Sequence, residues 1–201
     1  KTMKTIYLFL IGFAITNLLS CKKDDTLKID PWAENIKLIP SGSKFYFVAD
    51  VEGIPGIQKI IYPGPNDKGS TDIGRAICNI DECHTLLVMG DPENTQEFWL
   101  AIILQKKGLN GFDNLIHEGN YSYSTPTNRA NGVNISFTFD NLGEFRTDYF
   151  DNNNIQGKNF EITKINNISD DQFIESRFNC ELHSFKGQTI SIKNAIWKIN
   201  L

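Results

Sequence analysis

The chain has 201 residues, with 20 lysines and arginines against 24 aspartates and glutamates, and its formal net charge is −4 at pH 7. A mildly acidic chain without a basic stripe argues against nucleic acid as a partner. The length is sufficient for one domain with a hydrophobic core.

The first 20 residues have the pattern of a secretory signal. Lys1 and Lys4 form a short basic region, and an apolar run follows at 6–15. A membrane-spanning helix needs about 20 apolar residues, so this run is too short to cross a bilayer, whereas it has the length of the apolar part of a signal peptide. We therefore predict that residues 1–20 are removed from the mature protein.

The apolar run ends in Leu18-Leu19-Ser20-Cys21. This segment resembles the lipobox of bacterial lipoprotein precursors, in which a small residue precedes the cysteine. The resemblance implies that the thiol of Cys21 receives a diacylglyceryl group, that the chain is cut before this residue, and that acyl chains hold the protein to a membrane. The alternative is an ordinary signal peptide with an incidental cysteine.

Residues 21–28 are predicted to form a lipidated, flexible tether. Lys22-Lys23-Asp24-Asp25 resembles the export tag that sends lipoproteins of Bacteroidota-type bacteria to the outer face of the outer membrane. The resemblance implies a surface-exposed outer-membrane lipoprotein, although charge runs also serve simply as solvated linkers. Asp25-Thr26-Leu27 resembles the O-glycosylation site of such bacteria, which makes Thr26 a candidate for modification.

Residues 29–201 are predicted to form a single β-rich domain. Asp30-Pro31 indicates the start of a short helix with Asp30 as its N-cap, and Pro40 ends it. Short strands spaced by turns, with little helix between them, indicate an all-β, mainly antiparallel β-sandwich or barrel-like domain of about eight to ten strands. The elements expected after the helix are strands at 45–51 and 57–62, an exposed loop at 63–70, a hairpin around 79–82, a strand at 98–104, alternating strands at 133–139, 145–149 and 174–182, and turns at 141–143, 186–187 and 193–194.

The C-terminal segments 178–182, 187–192 and 194–199 follow one another as a strand, a β-branched strand after a glycine turn, and a final strand. They resemble the closing hairpins of uncharacterised Bacteroidota-type lipoproteins, and the step at 119–121 fits the same pattern. Those proteins usually have glycine before the final aromatic strand, where this chain has Ala195. The resemblance implies a β-rich fold and carries no activity.

Three cysteines follow the lipobox. Cys78 and Cys83 flank a four-residue turn, so a hairpin would set them opposite each other and permit a disulfide outside the cytoplasm. Cys180 lies on the apolar face of its strand, where a free cysteine behaves as a small hydrophobe. Pairing of Cys180 with either of the other two is the alternative.

No metal or cofactor is predicted. Cys78, Cys83 and His84 could begin a zinc site, but structural zinc takes four ligands and the fourth is missing. The residues with the composition of calcium ligands lack the EF-hand spacing and are interpreted as turn residues; they are Asp140, Asp148, Asp151 and 152–154.

No catalytic residues are predicted either. Nucleophilic catalysis needs a nucleophile, a base and an orienting group within reach of one another, and the chain has no Gly-x-Ser-x-Gly elbow. Asp113, His117 and Ser122 lie close in sequence, but such combinations arise by chance in most chains.

Aromatic rings could form a sugar-binding platform. Trp99 and Trp197 lie in apolar strands with core patterns, which leaves Trp32 as the candidate ligand contact. We expect a non-enzymatic surface lipoprotein that binds a glycan, a peptide or an envelope-protein partner. The alternatives are a tethered extracytoplasmic hydrolase acting on glycan or peptide and a structural subunit of an envelope complex.

Overall fold

The computed structural model describes most of the chain after the predicted tether, and from Pro31 onward the chain forms one compact unit. The predicted signal peptide, Cys21 and the predicted tether lie outside the described residues, as do residues 63–69 of the predicted loop. Side chains are not described for 70–78, 89–90 and 98–99. The described ranges are 30–39, 41–62, 70–78, 82–90, 98–108, 115–139, 142–167 and 172–200.

β-strands dominate these ranges, and their pairing is antiparallel, which confirms the predicted fold class. Eleven strands are present, one more than the upper expectation. Their bounds are β1 Tyr46–Glu52, β2 Lys59–Tyr62, β3 Ser70–Cys78, β4 Glu82–Gly90, β5 Phe98–Lys107, β6 Gly119–Tyr121, β7 Gly132–Phe139, β8 Gly143–Arg146, β9 Asn159–Asn166, β10 Phe173–Ser184 and β11 Thr189–Asn200.

All eleven strands belong to one sheet. The main path through it is β2-β1-β11-β10-β8-β7-β5-β4-β3, and β9 pairs with β10 while β6 pairs with β9. The path ends at β2 and β3, and within the described residues these two strands do not pair with each other, so the sheet is not closed into a barrel.

The open sheet nevertheless curls over itself. Four strand steps separate β1 from β7, which in a flat sheet would place them about 19 Å apart. The ring centroids of Phe47 on β1 and Phe137 on β7 are only 5.5 Å apart. The two halves of the sheet therefore face each other across one core, in the manner of a sandwich.

Stacked aromatic rings fill this core. Phe178 on β10 lies 6.1 Å from Phe47 and 5.7 Å from Phe160 on β9, measured between ring centroids. Such pairs contribute about 0.5–1.5 kcal/mol each beyond the burial of their area. The predicted alternation in β10 is confirmed, because its inward side chains are at most 1% exposed; they are Ile174, Ser176, Phe178, Cys180 and Leu182.

The predicted N-terminal helix is present as α1, Ala33–Ile36, but its predicted cap is wrong. The N-cap position is Trp32 rather than Asp30, and it makes no side-chain cap hydrogen bond. In place of a capping hydrogen bond, a buried asparagine within the helix attaches α1 to the sheet. Among the described residues, no helix has the length and apolar character needed to cross a membrane.

Two further expectations are corrected. The strand predicted at 145–149 ends at Arg146, because Asp148 turns inward in a 3-10 turn and accepts hydrogen bonds of 2.7 and 2.9 Å from the Arg146 guanidinium. The turn predicted at 193–194 is a bulge within the continuous strand β11, where Asn194 has a φ of 51° and the register with β10 shifts.

A polar cluster ties α1 to this bulge. Asn35 is 1% exposed and donates to the carbonyl of Asn194 at 2.8 Å. The Asn194 amide donates to the carboxylate of Asp50 at 2.9 Å, and Lys59 on β2 forms an ion pair with the same carboxylate. Four elements therefore meet at Asp50.

Asp50 is expected to make the stability of the fold depend on pH in the acidic range. Burial alone would raise the pKa of Asp50, but hydrogen bonds from Lys59 and Asn194 and the charge of Lys59 outweigh it and hold the pKa below its usual range. The pKa of aspartate in the unfolded chain is about 3.9. The contribution of Asp50 to the free energy of unfolding is therefore complete above that pH, and it is lost as pH falls through the lower pKa of the folded state. Asp50→Asn should cost about 1 kcal/mol at pH 7 and remove this acid-dependent component.

Urea unfolding at pH 7, 4 and 3 measures the effect. Glu52→Gln is the matched control, since Glu52 lies on the same strand in an exposed ion pair with Lys193. If wild type and Asp50→Asn lose equal stability between pH 7 and pH 3, the role assigned to Asp50 is wrong.

Candidate functional site

A concave pocket lies where the end of β5, the strand β6 and the start of β7 meet. Its volume is about 250 Å³. Leu104 and Leu115 are buried and provide its apolar part, whereas most of its other lining side chains are polar. Among the described residues that line it there is no aspartate or glutamate, and one ammonium group, that of Lys106.

Gly132 allows one wall of the pocket to form. Its φ is 100°, and a Cβ at this position would lie 2.4 Å from the carbonyl oxygen of Ser122. The backbone of Val133 donates to that same oxygen at 2.9 Å, and Ser124 N donates back to Val133 at 2.8 Å. Only glycine permits the segment 122–124 to lie directly against the start of β7.

Hydrogen bonds fix the amides of the opposite wall. Gln105 donates to the hydroxyl of Ser124 at 3.3 Å, and that hydroxyl donates to the carbonyl of Asn131 at 2.9 Å. The Asn131 side chain accepts from Lys107 N at 3.0 Å and donates to Asn128 at 2.8 Å. Gln105 and Asn131 are thus held in one orientation before any ligand arrives.

Two aromatic rings form the third part of the lining. The His117 ring stacks on Tyr121 with a centroid distance of 4.8 Å and an interplanar angle of 19°. The Tyr121 hydroxyl accepts from His117 N at 2.7 Å and lies within donating distance of two carbonyls, His117 O at 2.8 Å and Leu115 O at 3.2 Å. Burial raises the pKa of Tyr121, so the hydroxyl stays protonated at neutral pH.

The proton position on His117 follows from its neighbour. Nδ1 lies 3.0 Å from the carbonyl oxygen of Glu118, which can only accept, so Nδ1 carries the proton. In the neutral ring Nε2 is then the acceptor nitrogen. The pocket therefore contains an imidazole acceptor, fixed amides and the exposed side chains of Asn120 and Ser122.

The predicted ligand contact Trp32 lies elsewhere. It is half-buried beside α1, and the Arg177 guanidinium carbon lies 5.4 Å from its ring centroid. It is not among the residues that line the pocket. Trp197 is 1% exposed in the core, as its alternation predicted, and the side chain of Trp99 is outside the described residues.

The cysteines take their places in the sheet. Cys78 and Cys83 are opposite each other in the register of the β3–β4 hairpin, and Cys83 is buried. Cys180 is a free, buried cysteine, as its position on the apolar face predicted. The alternative pairing of Cys180 with Cys78 or Cys83 is therefore wrong.

Two of the residues considered for metal chemistry are used in other ways, whereas Asp140 lies outside the described residues. Asp148 is 1% exposed and paired with Arg146, and Asp151 accepts from Asn153 N at 3.0 Å. In the part of the chain that the structure describes, no group of three or more histidines, cysteines or acids could hold a metal ion.

The structure brings together two residues that were close in sequence. His117 and Ser122 both line the pocket, while Asp113 lies outside the described residues. The amides of Gln105, Asn120 and Asn131 were missed. Asparagine beside glycine normally indicates only turn chemistry, and a single glutamine at the end of an apolar strand carries no functional signal. An isolated glycine at the start of an apolar strand was the one available signal for a close backbone approach at this place.

Comparisons of the chain with protein-family models, with curated proteins and with solved structures give no match.

Proposed function

We propose that the protein is an extracytoplasmic lipoprotein, held to the outer membrane by acyl chains on Cys21, and that its β-domain binds one sugar unit of a glycan in the pocket. The basic start, the apolar run and the lipobox pattern support the proposed attachment to the outer membrane. The hydrogen-bonding lining of the pocket, in which amide and hydroxyl groups predominate among the polar side chains, carries the ligand assignment. No enzymatic step is part of this proposal.

The chemistry of the lining favours a sugar over the other ligand classes. Amides present a donor and an acceptor side by side, which suits neighbouring hydroxyl groups on a pyranose. None of the described lining residues is an acid that would neutralise a cation, and Lys106 could meet the carboxylate of an acidic sugar. Neutral and acidic sugars therefore fit, and basic peptides do not.

The size of the pocket restricts the ligand to a single unit. Sites for drug-sized molecules usually measure about 300–1,000 Å³, and this one is smaller at about 250 Å³. A hexose has about 12 non-hydrogen atoms, and at roughly 0.3 kcal/mol per atom its binding free energy is near −4 kcal/mol, a Kd of about 1 mM. Such weak binding suits repeated contacts along a polymer.

A second candidate function is hydrolysis by the same pocket. His117 and Ser122 line it together, and Nε2 is the ring nitrogen of His117 that does not contact the Glu118 carbonyl. A nucleophile beside a base is the minimum for acyl transfer. This candidate predicts turnover of a bound conjugate that Ser122→Ala abolishes, whereas the binding function predicts no turnover.

Pocket variants test the ligand proposal. Saturation-transfer NMR with glucose, galactose, N-acetylglucosamine and glucuronate should detect at least one bound sugar, and Asn131→Ala or His117→Ala should weaken its binding roughly tenfold, since each removes about one or two hydrogen bonds. Asn154→Ala is the matched control, because it removes an exposed amide far along the chain. A panel in which no sugar gives a signal that depends on Asn131 or His117 contradicts the proposal.

Replacing Cys21 tests the proposed lipid anchor. Cys21→Ser should accumulate as the uncleaved precursor and should lack the acyl chains of the processed protein, because serine offers no thiol for the diacylglyceryl group. Cys180→Ala keeps the lipobox and should be processed as wild type. Unchanged processing and unchanged acylation of Cys21→Ser would refute the lipid anchor, and survival of the protein during protease treatment of intact cells would refute its outward orientation.

We further propose a disulfide between Cys78 and Cys83, supported by their opposite positions in the hairpin register. It would contribute about 2 kcal/mol in the chain-entropy model. Alkylation in denaturant without reductant, followed by mass spectrometry of peptides, should then label Cys180 alone among the three. Labelling of all three cysteines is the contrary result.

A further inference from the structure

The turn between β10 and β11 presents a large apolar side chain to solvent. Phe185 is 93% exposed, whereas the next most exposed large apolar side chain of the described residues, Ile61, is 46% exposed. Most phenylalanines of a globular domain are buried. This ring therefore contributes nothing to the core, and its place at the end of a hairpin needs another explanation.

The turn holds the ring in a fixed position. Ser184 N donates to the carbonyl of Gln188 at 2.9 Å, and Gly187 N donates to the carbonyl of Ser184 at 3.0 Å. The Ser184 hydroxyl accepts from Gln188 N at 3.0 Å, and Gly187 has the positive φ of 81° that this tight turn requires. Phe185 is thus displayed on a rigid tip with two strands of twelve residues behind it.

A second aromatic ring lies next to the base of the tip. Phe150 is 42% exposed and stacks on the ring of His183 with a centroid distance of 4.6 Å. His183 is two residues before Phe185. The charge in the sequence from Ser184 to Ile190 is a single positive one, on Lys186.

We propose that this tip, Phe185 together with Lys186, inserts into the headgroup region of the bilayer that carries the protein. Phenylalanine is among the apolar side chains that membrane-surface segments bury at the boundary of headgroups and acyl chains, and a lysine beside it is attracted by anionic lipids. A convex tip with one projecting ring offers too little area for a stable protein interface, which needs about 1,000 Å², but it suits penetration between lipid headgroups.

The nearness of a bilayer rests on the proposed function. A chain from Cys21 to Asp30 spans at most about 30 Å when fully extended at roughly 3.3 Å per residue. A lipid anchor at that distance keeps the local lipid concentration high, so even one inserted ring suffices to bias the orientation of the domain.

Tryptophan fluorescence in vesicles tests the insertion. The acylated protein carrying Phe185→Trp is reconstituted into phosphatidylethanolamine–phosphatidylglycerol vesicles that contain brominated acyl chains, and wild-type fluorescence is subtracted. The added fluorescence should be quenched roughly twofold or more and shifted to the blue, as for an indole at the interface. Thr127→Trp, an exposed position in another loop, should show neither change.

A second arm separates this inference from the anchor. The full chain with an N-terminal histidine tag is attached to the same vesicles through a nickel-chelating lipid. If the natural protein is not acylated but the tip is quenched in this arm, the anchor fails and the insertion stands. Absence of quenching in both arms overturns the insertion. The insertion is also overturned if outer-membrane proteins, added in place of lipid, shield the tip from water.

Discussion

The fold depends on aromatic contact between strands that are distant in the sheet. Phe47 and Phe137 meet although four strand steps separate their strands, and Phe178 extends the contact to Phe160. Hydrogen bonds between neighbouring strands are satisfied equally well by a flat sheet, so they do not select the curled one. Burial of the rings on the concave side favours the curled sheet, because this burial removes from water the apolar face that a flat sheet would leave exposed. The edges at β2 and β3 can then stay unpaired with each other without loss of the core.

Much of the fold was predictable, because alternation along a strand directly reports which face is buried. Cys180 and its neighbours in β10 followed that rule without exception. The errors arose where a polar side chain competes with the backbone pattern. Asp148 ends β8 early by turning inward to Arg146, and Asn194 turns a predicted loop into a bulge by accepting a positive φ. The bulge at Asn194 depends on a partner distant in the sequence, Asp50, which a local pattern does not contain. Arg146 is only two residues from Asp148, but an alternation pattern does not report that an acidic side chain turns inward to pair with it.

The pocket was less predictable for a related reason. Its walls come from three strands and the residues beside them, and its amides are ordinary polar side chains until hydrogen bonds orient them. Gln105 reaches Ser124, and Ser124 reaches the Asn131 carbonyl, only because Gly132 lets two backbone segments approach closely. Sequence spacing did place His117 near Ser122, but it gave no indication that Asn131 would face the same space. A pocket assembled mainly from amide and hydroxyl side chains has no sequence motif, unlike a phosphate loop or a metal site.

The register of the sheet sets the direction in which the pocket opens. Gln105 is opposite Gly132 at the first residue of β7, whereas Ser184, beside the exposed turn, is level with Phe145 and through it with Phe137. Five residues of strand, about 17 Å, separate these two levels. If the β10–β11 turn contacts the membrane, the pocket is therefore on the side of the domain away from the lipid. The free end of a long polysaccharide could then bind there without the polymer approaching the membrane surface.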